Sequence, residues 1–254
     1  MKYILSFSGG KDSTFLGMEL IRRKYRFDEA VFFDTGWETK EMYEHIEKCK
    51  KIFEEHGVKF VTLHPENSFD YMMFECPHTS RKDGVTRYGY HWCGGNCRWG
   101  THEKLVVLDK YAKQNKDVIV YIGIAADETE RLEKERSEYT RFPLADWGTT
   151  EAECLQGCYD AGFDWGGMYE HLDRLSCKFC KNKNLKELRN IRKHYPEWWE
   201  ELKDYQRRTD RPYKGEGQSV FDLETRFAFE EERQAQGLSI TNREFHRELK
   251  RRIG

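Results

Sequence analysis

Four short apolar stretches, residues 3–7, 30–33, 58–63 and 118–124, alternate with helical patterns over the first 150 residues. Apolar strands of this length, buried on both faces, belong to parallel sheets, because each crossover between parallel strands lays a helix on the sheet. The intervening patterns predict helices over residues 12–25, with Phe15, Leu16, Leu20 and Ile21 on one face, over 39–56, stopped by Gly57, and over 101–113. The fold class expected is α/β: a doubly wound parallel sheet with the strand at residues 3–7 in its centre. Ligands of such sheets bind beyond the carboxyl ends of the strands. Three polar or glycine-rich clusters fall there, at residues 8–13, 34–36 and 125–128.

Beyond about residue 148 the pattern turns helical. Thr150 with Glu153 and Thr241 with Glu244 have the spacing of capping boxes, and Pro196 suits a first helical position. This predicts a domain over residues 1–148 and a helical C-terminal region over 149–254. Composition bounds the function classes. With 43 Lys and Arg against 45 Asp and Glu, the chain is not a whole-surface nucleic-acid or membrane binder. Residues 181–254 carry 18 Lys and Arg against 14 Asp and Glu, a bias that solvated helix faces account for. The longest apolar run, residues 118–126, is roughly half of what a spanning helix needs. The start of the chain enters a strand pattern directly, so a cytoplasmic protein without a membrane is expected.

Ser8-Gly9-Gly10-Lys11-Asp12-Ser13 lies between a strand and a helix. Two glycines let the backbone approach an anion, the helix start offers unpaired N–H groups, and Lys11 adds positive charge. The hydroxyls of Ser8 and Ser13 can donate to phosphate oxygens. The spacing is neither that of a Walker A loop nor that of a dinucleotide fingerprint. A plain Gly-Gly turn is the bland alternative.

The cysteines form a second pattern. Cys93 and Cys97 lie in a glycine-rich loop, and Cys177 and Cys180 form a C-x2-C pair. In a reducing compartment such pairs read as metal ligands, with buried free thiols as the alternative. His91 and His102 flank the first pair. Cys154 and Cys158 share a helix face and read as core, with a ligand or sulfur-carrier role as the lesser reading. Cys49 and Cys76 have no partner pattern. Trp92, Trp99, Trp147 and Trp165 read as core rather than as walls of a cleft.

The loop at residues 8–13 matches the S-G-G-x-D-S of the PP-loop adenine nucleotide alpha-hydrolase group. Phe33-Asp34-Thr35-Gly36, the stretch Gly123-Ile124-Ala125-Ala126-Asp127-Glu128-Thr129-Glu130-Arg131 and Pro143-Leu144-Ala145-Asp146-Trp147 resemble later motifs of its PAPS reductase branch, in the same order. The resemblance implies that Ser8, Gly9, Gly10, Lys11, Asp12, Ser13, Asp34, Gly123 and Arg131 bind an adenine nucleotide. ATP with Mg²⁺ would be the cofactor, with Lys11, Asp12 and Asp34 in catalytic roles. It further implies a four-thiolate centre on Cys93, Cys97, Cys177 and Cys180. A [4Fe–4S] cluster is slightly favoured over Zn²⁺, although the C-x3-C departs from the adjacent cysteines of the iron–sulfur reductases. The last cysteine is Cys180, which disfavours sulfate reduction by a terminal cysteine. The expected function is an ATP pyrophosphatase or adenylating transferase in sulfur transfer or nucleic-acid modification, with a nucleic acid or a sulfur-donor protein as partner. The alternatives are an adenylyl-sulfate reductase and a non-catalytic nucleotide-binding subunit.

Overall fold

The computed structural model describes residues 1–92, 97–114, 117–133 and 138–254. It opens with β1 (Lys2–Phe7), α1 (Lys11–Arg22), β2 (Glu29–Phe33), α2 (Lys40–Glu55) and β3 (Lys59–Leu63). A short antiparallel hairpin, β4 (Pro77–Thr79) with β5 (Thr86–Tyr88), precedes α3 (Lys104–Gln114) and β6 (Val118–Ile122). The chain continues through α4 (Thr129–Leu132), β7 (Thr140–Arg141), α5 (Pro143–Asp146) and α6 (Glu151–Asp160). It ends with α7 (Leu185–His194), α8 (Pro196–Arg207), α9 (Val220–Ala235) and α10 (Arg243–Ile253).

The chain divides into two compact units. The first comprises Met1–Phe69 and Arg98–Lys178 and holds a five-stranded parallel sheet in the order β3-β2-β1-β6-β7. β1 is central, with the strand order reversing between β1 and β6, and has Leu5 opposite Ala30 on one side and Tyr121 on the other. The pleat sends alternate residues to opposite faces. On one face Phe7 meets Phe53 of α2 edge-on at 5.4 Å. On the other, Ile4, Val31 and Val118 form a cluster with Leu108 and Tyr111 of α3. Helices thus cover both faces, which explains why the strands read as continuous apolar runs.

The expected division after residue 148 falls inside this first unit. α6 and the 3₁₀ turn Trp165–Glu170 stay with the sheet, because Cys154, Cys158, Trp165 and Met168 are buried there against α1 and α2. The second unit joins Asp70–Cys97 to Phe179–Gly254. Within it, Tyr205 of α8 stacks on Phe74 at 6.0 Å and donates to Asp70. Phe229, Phe245 and Leu249 pack α9 on α10.

Helix starts follow the capping chemistry with one correction. Thr39 caps α2, Thr150 and Glu153 form the capping box of α6, and Pro196 opens α8. For α10 the cap is Asn242 rather than Thr241, because Asn242 Oδ1 accepts from the Phe245 N–H at 2.8 Å. The helix expected over 101–113 begins at Lys104, after a wider π turn at Arg98–Glu103. The core reading covers all four tryptophans: Trp92, Trp99 and Trp165 are buried, but Trp147 is only half-buried.

Candidate functional site

The carboxyl end of β1 runs into the loop at residues 8–13, which lies wholly within the first unit. Gly9 has a left-handed φ of 78°, and Gly10 is the N-cap of α1 in extended conformation. The two glycines serve different ends. A Cβ on Gly9 would lie 2.7 Å from Sδ of Met42 and 3.2 Å from Ile46, so Gly9 is demanded by the packing of α2. A Cβ on Gly10 would meet only Tyr169 Oη and Ser8 Oγ, at 3.5 and 3.6 Å. The open flank of the loop is therefore at Gly10.

Hydrogen bonds hold the loop in shape. Ser13 Oγ accepts from the Ser8 N–H at 3.2 Å and donates to the Gly10 carbonyl at 3.1 Å. Trp165 Nε1 donates to the Gly9 carbonyl at 2.8 Å, and Tyr169 Oη accepts the Lys11 N–H at 2.9 Å. The Gly10 N–H has only a long contact, 3.4 Å, to Ser8 Oγ. That amide is only weakly held by the protein, and it lies at the positive end of a twelve-residue helix.

Lys11 does not stand open beside the loop. Its ammonium lies 2.5 Å from Glu151 Oε1 and 3.3 Å from Asp12 Oδ2, and the residue is buried. Burial opposes the charge of Lys11, but the bond to Glu151 and the field of Asp12 outweigh it and hold its pKa above the ordinary lysine value. Burial pushes the Asp12 carboxyl up, with Lys11 acting the other way. Asp12 Oδ1 is buried and has no hydrogen-bond partner among the described residues.

The other strand ends meet the loop from the sides. A Cβ on Gly123, just past β6, would sit 3.0 Å from the backbone of Asp12 and Ser13, so the glycine lets β6 abut the first turn of α1. Asp34 closes its own turn: Oδ1 accepts from the Gly36 N–H at 2.7 Å and from Tyr43 Oη at 2.8 Å. Burial, followed by that bond to Asp34, raises the Tyr43 pKa. Asp34 does not cap α2, a task that falls to Thr39. Arg131 is half exposed and paired with Glu128, which also accepts the Ala125 N–H. The sequence does not mark Glu151 or Tyr169 as site residues, and it marks Trp165 only as core; the capping Thr150 lies beside Glu151.

A scan for protein families matches residues 2–152 to the phosphoadenosine phosphosulfate reductase domain. The chain belongs to the phosphoadenosine phosphosulfate reductase domain family. It is a PP-loop protein of that reductase-like branch, and the match takes in the loop, Asp34, Gly123, Arg131 and Glu151, but ends short of Trp165 and Tyr169. Among curated proteins it resembles uncharacterized protein MJ0973 of Methanocaldococcus jannaschii, 29% identical over 198 residues, covering 71% of this chain and 44% of the relative. Uncharacterized protein MJ0066 of the same organism is 24% identical over 216 residues, covering 78% of this chain and 40% of the relative. The chain thus spans less than half the length of the curated relatives it matches. A domain of this family fits an adenine nucleotide, and among the described residues no helix is long and apolar enough to cross a membrane.

The cysteines divide by environment. Cys49, Cys154 and Cys158 are buried in the first unit. Burial raises all three thiols, Cys49 and Cys158 to about 12, so they remain protonated and inert at neutral pH. This supports the core reading of Cys154 and Cys158 against a sulfur-carrier role. Of the four expected metal ligands, Cys93 lies outside the described residues. Cys97, Cys177 and Cys180 are half-buried, Cys177 in the first unit and the other two in the second. Among the described residues no group of three or more His, Cys, Asp or Glu is placed to hold a metal ion.

Proposed function

We propose that the chain is an ATP pyrophosphatase or adenylating transferase acting in sulfur transfer or nucleic-acid modification. The observation that carries this reading is the loop itself: a braced anion cradle at the carboxyl end of the central strand, open at Gly10, with Lys11 beside it. The β- and γ-phosphates of ATP would take the N–H groups of Gly9 and Gly10, with the hydroxyls of Ser8 and Ser13 nearby. The ribose and base would extend toward Asp34 and the Gly123 strand end. Lys11 would leave Glu151 for the phosphates, since a polyphosphate offers more negative charge than one half-exposed carboxylate. Arg131 would supply a second cation after parting from Glu128.

Asp12 fits a role in holding Mg²⁺, because its buried Oδ1 is otherwise unsatisfied and Mg²⁺ needs only one or two carboxylates when phosphates complete its shell. The ion would draw charge from the phosphates. In the reaction proposed, a nucleophilic atom of the acceptor forms a bond to the α-phosphorus. The bond from that phosphorus to the α,β-bridging oxygen breaks, and pyrophosphate leaves with the electron pair. Lys11 and the loop amides then stabilise charge that grows as the bond breaks. The cysteine centre is part of the proposal in its four-thiolate form, with [4Fe–4S] ahead of Zn²⁺. No step runs through it. Anaerobic purification with iron and zinc analysis decides between them.

The test of function is product analysis with ATP and Mg²⁺ across nucleic-acid and sulfur-donor acceptors. Release of pyrophosphate together with AMP or an adenylylated acceptor is expected. Release of ADP and inorganic phosphate would refute cleavage between the α- and β-phosphates. Sulfite released from an adenylyl sulfate in the presence of a thiol would replace this reading with a reductase.

A further inference from the structure

At the start of β1 and β6, away from the loop at the carboxyl ends of those strands, the first unit contains a second cleft, of about 310 Å³. Its walls include Tyr3, Tyr25, Tyr121 and Trp147, with Arg141 and Asp146 at the margin. That volume lies at the low end of the range for small-ligand sites, about 300–1,000 Å³. Trp147 ends the segment of residues 143–147, for which the nucleotide reading has no use. Tyr25 stands edge-on to both Tyr121 and Trp147, with ring centroids at 6.5 and 5.5 Å, yet remains 45% exposed.

The cleft is rimmed by cations. Tyr25 sits within Arg22-Arg23-Lys24-Tyr25-Arg26, four positive charges in five residues. Lys24 has a left-handed φ of 57°, an unfavourable conformation for a residue with a Cβ, and this reversal ends α1 and brings Tyr25 over the cleft. The Arg23 guanidinium lies 4.1 Å from the Trp147 ring centroid and that of Arg26 5.3 Å from Tyr3. Glu19 pairs with Arg22 and Arg23, and Asp28 with Arg26. Among the described residues, Glu19 and Asp28 answer the four cations of this run, and the lining of the cleft adds Arg141 and Asp146. A basic helix end alone would be ordinary, since cations suit a helix C-terminus. Basic residues interleaved with a partly exposed aromatic cleft are a different combination. Aromatic rings stack on bases while neighbouring cations hold phosphates, which is how single-stranded nucleic acids are bound.

We propose that this cleft binds an unstacked base of a single-stranded nucleic acid, with Tyr25 as the stacking wall and Lys24, Arg26 and Arg141 on the flanking phosphates. The proposal deepens the reading of the acceptor as a nucleic acid and is tested apart from the nucleotide loop. Fluorescence anisotropy would follow the full chain with labelled oligo-dT and oligo-U of about twelve nucleotides, the length one or two single-strand sites cover. Wild type is expected to bind at least one of the two, and the stronger arm identifies DNA or RNA. Tyr25→Ala should weaken binding about tenfold, and Tyr25→Phe should restore it, because the ring and not the hydroxyl stacks. The double variant Lys24→Gln/Arg26→Gln should flatten the dependence on salt between about 50 and about 200 mM. Melting curves and ATP titration of each variant should match wild type, so that loss of strand binding with intact ATP binding isolates this cleft. The proposal is overturned if wild type binds neither oligonucleotide at the lower salt. It is equally overturned if Tyr25→Ala binds both as wild type does, or if poly-glutamate displaces them as well as unlabelled strand does, since charge alone would then explain the binding.

Discussion

Gly9→Ala is expected to lower the stability of the protein by about 3 kcal/mol, while Gly10→Ala changes it by less than about 1 kcal/mol. The two glycines are adjacent in one loop, yet their surroundings differ. At Gly9 an added methyl has two costs. It forces a residue with a Cβ into a left-handed conformation, worth roughly 1–2 kcal/mol. It also drives a carbon to 2.7 Å from Met42 Sδ, with Ile46 behind it at 3.2 Å, and overpacking of this kind costs roughly 1–3 kcal/mol. Met42 is flexible and can yield in part, which places the sum near the middle of the range. At Gly10 the backbone is extended and the methyl makes ordinary contacts. Denaturant unfolding of the two variants beside wild type measures the difference. Equal stabilities would show that the loop is not clamped by α2.

Acidification should destabilise the fold through His45. The ring is buried, with Nε2 2.9 Å from Thr14 Oγ1 and 3.3 Å from Cys49 Sγ, and it lies against Trp165 at 4.4 Å. Burial, helped by Lys48 and opposed by Asp164, lowers its pKa to about 3. In the unfolded chain the ring titrates near 6.5. As pH falls below 6.5 the unfolded state takes up a proton that the folded state refuses. The stability His45 leaves intact above pH 6.5 is therefore lost progressively as pH falls toward about 3, at up to about 1.4 kcal/mol per pH unit. Between pH 6.5 and 4.5 the loss should be about 2 kcal/mol. Asp12 acts in the opposite sense, because its raised pKa lets the folded state bind a proton first. The slope that belongs to His45 is thus the difference between wild type and His45→Gln. His45→Gln should be less stable at pH 7 and lose less on acidification. Parallel pH curves for the two proteins would contradict the assignment.

The parallel sheet was legible from β1, β2 and β6, whose apolar runs each end in a polar or glycine-rich turn, whereas β7, Thr140–Arg141, has no apolar residue and gave no such signal. The central place of β1, the stop at Gly57 and the cap at Thr150 follow from local chemistry and hold in the structure. The division into units was not legible. Residues 70–97 fall inside the domain expected over 1–148, yet Asp70 and Phe74 partner with Tyr205, and no local signal reports a contact across 135 positions. The bracing of the loop by Trp165 and Tyr169 was hidden for the same reason: an aromatic residue announces burial, but not what it is buried against. Glu151 read only as the residue after a cap, and its hold on Lys11 depends on α6 lying along α1. Gly9 and Gly10 read alike as an anion cradle, and only the position of α2 separates the packing glycine from the open one.

The direct test of an adenine nucleotide in this loop is calorimetric titration of ATP with Mg²⁺ into wild type and Gly10→Val. Valine at Gly10 suits the extended backbone but is a poor N-cap and places a branched side chain on the open flank of the loop, so the variant should remain folded at a cost of about 1–2 kcal/mol. Wild type should bind ATP saturably, and Gly10→Val should bind it at least about a hundredfold more weakly. Equal binding by the two proteins, or no binding by wild type, would leave residues 8–13 an ordinary turn between β1 and α1.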